Sequence, residues 1–159
     1  MIESFNSAAG RSIVAADTAV DLGHIHGFIL DDGATRVDAL HVDGYARGAQ
    51  VVHWAAISSF GSDAVMVRTA ADIVSATGDR EVGTVKGTLA AIGKRVLTTE
   101  GFAAGTVEDV QFDSTTGLIK EIVTDQGIVD AKRLRSIGSY AAVIDAAVWS
   151  APSIDDLHR

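Results

Sequence analysis

Two stretches decide the fold: Leu22-Gly-His-Ile-His-Gly-Phe-Ile-Leu-Asp31 and Ala104-Gly-Thr-Val-Glu-Asp-Val-Gln-Phe-Asp113. Laid over each other, Gly23 falls on Gly105, Ile25 on Val107, Phe28 on Val110, Leu30 on Phe112 and Asp31 on Asp113. Each begins by alternating apolar and polar residues, the signature of a half-buried strand. Each then takes a three-residue step, from Ile25 to Phe28 and from Val107 to Val110, with Gly27 or Asp109 between. Such a step inside a two-residue period predicts a β-bulge, which bends a strand so that a small sheet can curl on itself.

The match extends outward in both directions. Upstream, Gly10-Arg-Ser-Ile-Val14 resembles Gly93-Lys-Arg-Val-Leu97. Downstream, Leu40 falls on Ile122, Asp43 on Asp125 and Val51-Val52 on Ile128-Val129. The first copy carries a longer hairpin around Gly44 to Gly48. Ile57-Ser-Ser-Phe-Gly-Ser-Asp-Ala-Val-Met-Val67 then aligns with Leu134-Arg-Ser-Ile-Gly-Ser-Tyr-Ala-Ala-Val-Ile144, bringing Gly61 onto Gly138.

Turn chemistry divides each copy into short strands. Ser12–Ala15, Leu22–Leu30, Arg36–Val42, Ala49–His53 and Ala64–Val67 are expected in the first copy. Leu118–Thr124, Gly127–Asp130 and Ala141–Ile144 are their later counterparts in the second. Asp31 and Asp113 open turns in which an Asp side chain bonds the backbone, with Gly nearby for positive φ. A short turn of helical character brings Ile57 or Leu134 inward. Several short strands in roughly 60 residues fit a small closed barrel, which leaves few free edges. The chain is thus read as all-β, two small barrels in tandem. Residues 1–68 form the first barrel, 69–92 a partly packed linker, 93–146 the second barrel and 147–159 a C-terminal tail. In the linker, Ala70 to Ala76 is expected to be one or two helical turns, Thr77-Gly-Asp-Arg a turn, and Val82 to Val85 a strand. The tail is a loose end or an arm docking through Trp149 and Leu157.

Composition narrows the function. The chain has 159 residues, of which 47% are hydrophobic and 21% charged, as in ordinary globular domains. Thirteen Lys and Arg against 21 Asp and Glu give a net charge of −8, which disfavours a nucleic-acid partner. With no Cys, disulfides, thiolate zinc sites and cysteine nucleophiles are excluded. The first residues lack the basic start and apolar core of a signal peptide. No apolar run approaches the roughly 20 residues that span a bilayer. A soluble, cytoplasmic protein without membrane insertion is expected.

Four histidines in the first copy, His24, His26, His41 and His53, are candidate ligands for zinc or nickel. His24 and His26 would lie on one strand face, somewhat under ~7 Å apart. The second copy has Thr106, Glu108, Val123 and Asp130 at those places, which fits an outward polar face equally well. The repetition of Asp31 and Asp113 favours turn capping over acid catalysis. Asp31-Asp32 lacks the alternating oxygens of a calcium loop. There is no Gly-x-Ser-x-Gly elbow. Gly83-Thr-Val-Lys-Gly87 lacks the ending of a phosphate loop. Lys132, Arg133 and Arg135 form either a contact patch or a solvated turn. Tyr45 and Trp54 lie in or near the longer hairpin; Trp54 is an interface anchor or packs a barrel end. Gly23, Gly61, Gly105, Gly138, Asp31 and Asp113 are assigned to structural turns.

These motifs resemble the PRC-barrel domain. Gly-Arg-Ser-Ile-Val, Leu-Gly-His-Ile and Trp-Ala-Ala-Ile-Ser-Ser-Phe-Gly-Ser carry the likeness in the first copy. Ala-Gly-Thr-Val-Glu-Asp-Val-Gln-Phe-Asp, Thr-Gly-Leu-Ile and Leu-Arg-Ser-Ile-Gly carry it in the second. The whole is similar to bacterial proteins with two such barrels in tandem. Members occur in the photosynthetic reaction-centre H subunit and in ribosome maturation factors, so the resemblance implies a docking module. A non-enzymatic adaptor with a protein partner and no cofactor is the expected role. A metal or small-ligand protein using the first-barrel histidines is the alternative, and a ribosome-associated or RNA-processing factor the third. Self-association is a further expectation, because small barrels leave apolar surface to cover.

Overall fold

The computed structural model describes residues 1–44 and 48–146. After a short lead-in of β1 (Ile2–Ser4) and α1 (Phe5–Ala8), the first half runs β2 (Ser12–Ala15), β3 (Asp21–Leu30), β4 (Val37–Gly44) and β5 (Gln50–His53). A 3₁₀ turn, Trp54–Ala56, leads to β6 (Ile57–Phe60) and β7 (Ala64–Val67). A second, Ala70–Asp72, leads to β8 (Ile73–Ser75), and α2 (Gly78–Val85) follows. The second half runs β9 (Arg95–Thr98), β10 (Ala103–Asp113), β11 (Ile119–Thr124) and β12 (Gly127–Asp130). The turn Ala131–Arg133 then leads to β13 (Leu134–Ile137) and β14 (Ala142–Ile144).

The strands form two sheets with one order. The first reads β6-β7-β2-β3-β4-β5, and the second β13-β14-β9-β10-β11-β12. In each, the first and last long-range neighbours, β2 with β7 and β9 with β14, are parallel while the other pairs are antiparallel. The end strands of each order are consecutive in the chain, joined through a three-residue 3₁₀ turn. That turn brings β6 back beside the end of β5, and β12 and β13 are related in the same way, so each sheet curls; among the described residues no ladder closes it.

Both expected bulges are present, at matching residues. Register shifts between Ile25 and Gly27 on β3, leaving His26 as the extra residue. It shifts between Val107 and Asp109 on β10, leaving Glu108. Gly23 (φ 135°) precedes the first bulge, and a Cβ there would stand 2.5 Å from the Asp43 carbonyl oxygen. Only glycine allows that approach. Gly105 holds the matching position with φ 101°.

The sheets draw strands across the boundaries suggested by the repeat. β1 pairs with β10, so the first residues of the chain belong to the second sheet. β8, from the linker, pairs with β5 and extends the first. The stretch Val82 to Val85, expected to be a strand, is the last turn of α2. Its β-branched Val and Thr suggest a strand in isolation, but tertiary packing decides otherwise. Val85 lies on Ile29, Ala39 and Val51, and the buried Thr84 hydroxyl donates to the Arg80 carbonyl at 2.8 Å. Ala70 to Ala76 is one 3₁₀ turn followed by β8.

One apolar core serves both halves: Ile13, Leu40 and Val65 of the first are continuous with Val110, Ile122 and Ile137 of the second. An aromatic cluster marks the seam. Phe5 stacks on Phe28 with centroids 4.0 Å apart and rings 5° from parallel. Phe112 of β10 reaches across to Phe28 at 5.5 Å, Phe60 at 5.4 Å and Trp54 at 6.2 Å. Each such pair contributes about 0.5–1.5 kcal/mol beyond area burial. Backbone bonds stitch the same seam, with Val37 N–H donating to Gly117 at 2.8 Å and Ile119 N–H to Thr35 at 2.9 Å.

Candidate functional site

The repeated residues are occupied with the backbone. The Asp31 carboxylate accepts from Thr35 N–H at 2.6 Å, from Arg36 N–H at 3.3 Å and from the Thr35 hydroxyl. Asp113 accepts from Thr115 N–H at 2.7 Å and Thr116 N–H at 3.2 Å. Those two amides hold its carboxyl below the usual carboxylate range. Gly61 N–H donates to Ala64 O and Gly138 N–H to Ala141 O, both at 3.0 Å, so one turn recurs before β7 and β14.

The histidines divide three ways. His26, the bulged residue of β3, meets His41 of β4 edge to face, ring centroids 4.8 Å apart. His53, at the end of β5, leaves them for α2, where its Nε2 lies 2.8 Å from a Glu81 carboxylate oxygen. His24 is exposed at the other side of the bulge, opposite Asp43 in register. Among the described residues, no group of three or more His, Asp or Glu is placed to hold a metal ion.

His26 and His41 instead line a cleft of about 310 Å³ on the first sheet, beneath α1 and α2. Its walls come from α1 (Phe5, Asn6), the bulge (Gly27, Phe28) and α2 (Thr84, Val85). Burial, with His26 alongside, pushes the His41 imidazole below its ordinary pKa. The second-half bulge meets α1 differently. Asn6 N–H donates to Asp109 Oδ1 at 3.1 Å, and Asn6 Nδ2 to the Glu108 carbonyl at 2.8 Å. Where β10 has Asp109, β3 has Gly27. One bulge is thus tied to α1 by side-chain bonds, and the other faces the cleft.

The other candidate residues fall apart in space. Trp54 is half-buried at the seam, stacked on Phe60 at 5.6 Å and packed against Gly117. It packs one half on the other. Arg133 donates to the Asp145 carbonyl at 2.9 Å, and Arg135 pairs with the Asp145 carboxylate at 3.4 Å. Lys132 is exposed in the 3₁₀ turn capped by Asp130. Tyr45, and the tail with Trp149 and Leu157, lie outside the described residues. Sequence reading missed the seam's charged pair. Arg11 and Glu3 meet at 2.9 Å with side chains only 11% and 10% exposed. Arg11 also donates to the Gly61 carbonyl at 2.8 Å and lies over the Phe60 ring. Nothing in the spacing of Glu3 and Arg11 signals that contact, because β1 joins a sheet whose other strands begin at Arg95.

The molecule is thus a pair of small, curled β-sheets with one strand order, whose recurrent Gly and Asp residues build turns and bulges. Residues 91–143, in the second half of the chain, match the family model of the PRC-barrel domain. No curated protein matches the chain. No helix among the described residues is long and apolar enough to cross a membrane.

Proposed function

We propose that this chain is a non-enzymatic interaction module, built from a PRC barrel and a diverged second copy of it, whose partner is a protein. One observation carries the reading. The residues that recur in both halves, Asp31 and Asp113 above all, are bonded to backbone amides and so serve the scaffold. Some of what differs, such as Ile128 where the first half has the buried Val51, lies at a surface, where a module meets its partners. The test is capture of cross-linked partners from native lysate on the tagged full chain. A protein recovered in stoichiometric amount, and competed by untagged chain, is the expected result. Ribosomal RNA in the eluate, or turnover of a substrate by the purified chain, overturns the reading.

A second reading has its own observation. The cleft at His26 and His41 combines apolar walls with two imidazoles, the general make-up of a small-ligand site. Native mass spectrometry of the freshly purified chain tests it. A retained small molecule, lost in His41→Ala, supports ligand binding; a bare mass under gentle conditions counts against it.

A further inference from the structure

The two halves share a strand order but differ at one edge. In the first, β8 lies antiparallel along β5, with Ile73 opposite Val52 and Val74 opposite Val51. The chain then turns into α2, and Ala76 and Val85 cover the outer row of Ile29, Ala39 and Val51. In the second half, β12 holds the place of β5, and among the described residues it pairs with β11 alone. The inner row is kept, since Val129 is buried as Val52 is. The outer row becomes Gln111, Glu121 and Ile128, and Ile128 is 65% exposed. A short edge is one way a sheet resists pairing. Yet β5, also four residues long, accepts three residues of β8.

The sequence that corresponds to β8 in the second half is not strand-like. Counting on from the matched strands β7 and β14, Ile73-Val74-Ser75 corresponds to Ser150-Ala151-Pro152. That triplet has no β-branched residue, and proline has no N–H for a ladder. Charge indicates what could replace it. Glu121 and Asp130 are cross-strand neighbours at one end of β12, on a chain of net charge −8.

We propose that the edge of β12, Gly127–Asp130, left unpaired among the described residues, is the docking edge for an extended strand of a partner protein. That strand runs antiparallel to β12, sets an apolar β-branched residue beside Ile128 and Val129, and carries a basic residue toward Glu121 and Asp130. Backbone pairing supplies affinity, and these side chains supply selectivity. The inference rests on reading the chain as an interaction module and names the surface used.

Hydrogen exchange on the full chain, with and without a capped alternating Val/Lys peptide of about ten residues, tests it. In the free chain, amides of residues 127–130 should exchange faster than those of 50–53, by about ten-fold or more. The peptide should slow them, and a proline-interrupted peptide should not. Ile128→Lys, at an exposed position that the fold tolerates, should weaken peptide binding by about ten-fold. Protection of 127–130 in the free chain overturns the proposal, because the edge is then already filled. If that protection survives dilution, the chain's own residues fill it; if it fades, a second copy does. A peptide that protects nothing overturns it as well. A partner captured equally by the parent chain and Ile128→Lys removes β12 as the surface and leaves the interaction module standing. No specific partner for either chain removes the interaction module itself.

Discussion

Gly117, in the turn before β11, lies flat against the indole of Trp54, so that a Cβ added there would stand 3.0 Å from Trp54 Cε2. Its φ of 79° is left-handed as well. Gly117→Ala therefore meets two costs, a left-handed backbone and a crowded ring. Together they should destabilise the chain by about 1–3 kcal/mol. Urea unfolding of Gly117→Ala, Trp54→Ala and the double variant separates them. The ring's share should vanish in the Trp54→Ala background and the backbone's share should remain. Strict additivity would mean that the contact carries no energy.

The Arg11–Glu3 pair joins β1, a strand of the second sheet, to the start of β2 in the first. With both side chains close to nine-tenths buried, removing one partner strands the other charge away from water. Glu3→Gln or Arg11→Met should cost about 3 kcal/mol, and the double variant less than the sum of the two. The urea midpoint should move with its slope unchanged. A variant within experimental error of the parent would show that β1 does not hold the halves together.

Asp113 gives the acid limb of stability a definite sign. Its carboxyl is held below the ordinary range by the Thr115 and Thr116 amides, so the folded state favours the charged form. That contribution is present above the unfolded carboxyl pKa of about 3.9 and is lost as pH falls through the lower folded value. Asp113→Asn keeps an acceptor for the turn but cannot titrate. Its loss of stability relative to the parent should be full at neutral pH and shrink in strong acid. A difference that is constant with pH would assign the turn's stability to geometry alone.

Much of this fold can be read from residues, and the exceptions have physical causes. The bulges were legible because Ile25 to Phe28 and Val107 to Val110 break the alternation at the same point in both copies, as the register shifts bear out. The Asp31 and Asp113 turns were legible because an Asp side chain bonds its own neighbours in sequence. β6 and β13 are not legible as strands, since Ile57-Ser-Ser-Phe60 and Leu134-Arg-Ser-Ile137 show no alternation and their pairings with β7 and β14 carry register shifts. β1 and α1 were missed because they have no counterpart in the repeat and are placed by contacts a hundred residues away, such as Asn6 with Asp109. The histidines illustrate the same limit. Spacing along the chain yields four candidates, but the pairing of β3 with β4 decides that His26 and His41 meet.

The His26–His41 contact makes the cleft responsive to pH. Burial disfavours protonation of His41, and a charged His26 beside it would disfavour it further. In the unfolded chain His41 protonates near the usual pKa of about 6.5. Below that value the unfolded state binds more protons than the folded one at this site, so stability rises with pH across the window between the lowered folded pKa and about 6.5. Unfolding free energy measured between pH 5 and 7, a window of about two units around that pKa, should therefore climb more steeply in the parent than in His41→Gln, which cannot titrate. His26→Gln should raise the folded pKa of His41, which two-dimensional NMR of the imidazole carbons reads directly. The cleft is where these effects converge. A ligand that accepts a hydrogen bond from neutral His41 should bind more tightly above the His41 pKa than below it, and a ligand that requires imidazolium should do the reverse. A titration of His41 that moves in neither variant nor ligand complex would detach the imidazole pair from any role in the cleft.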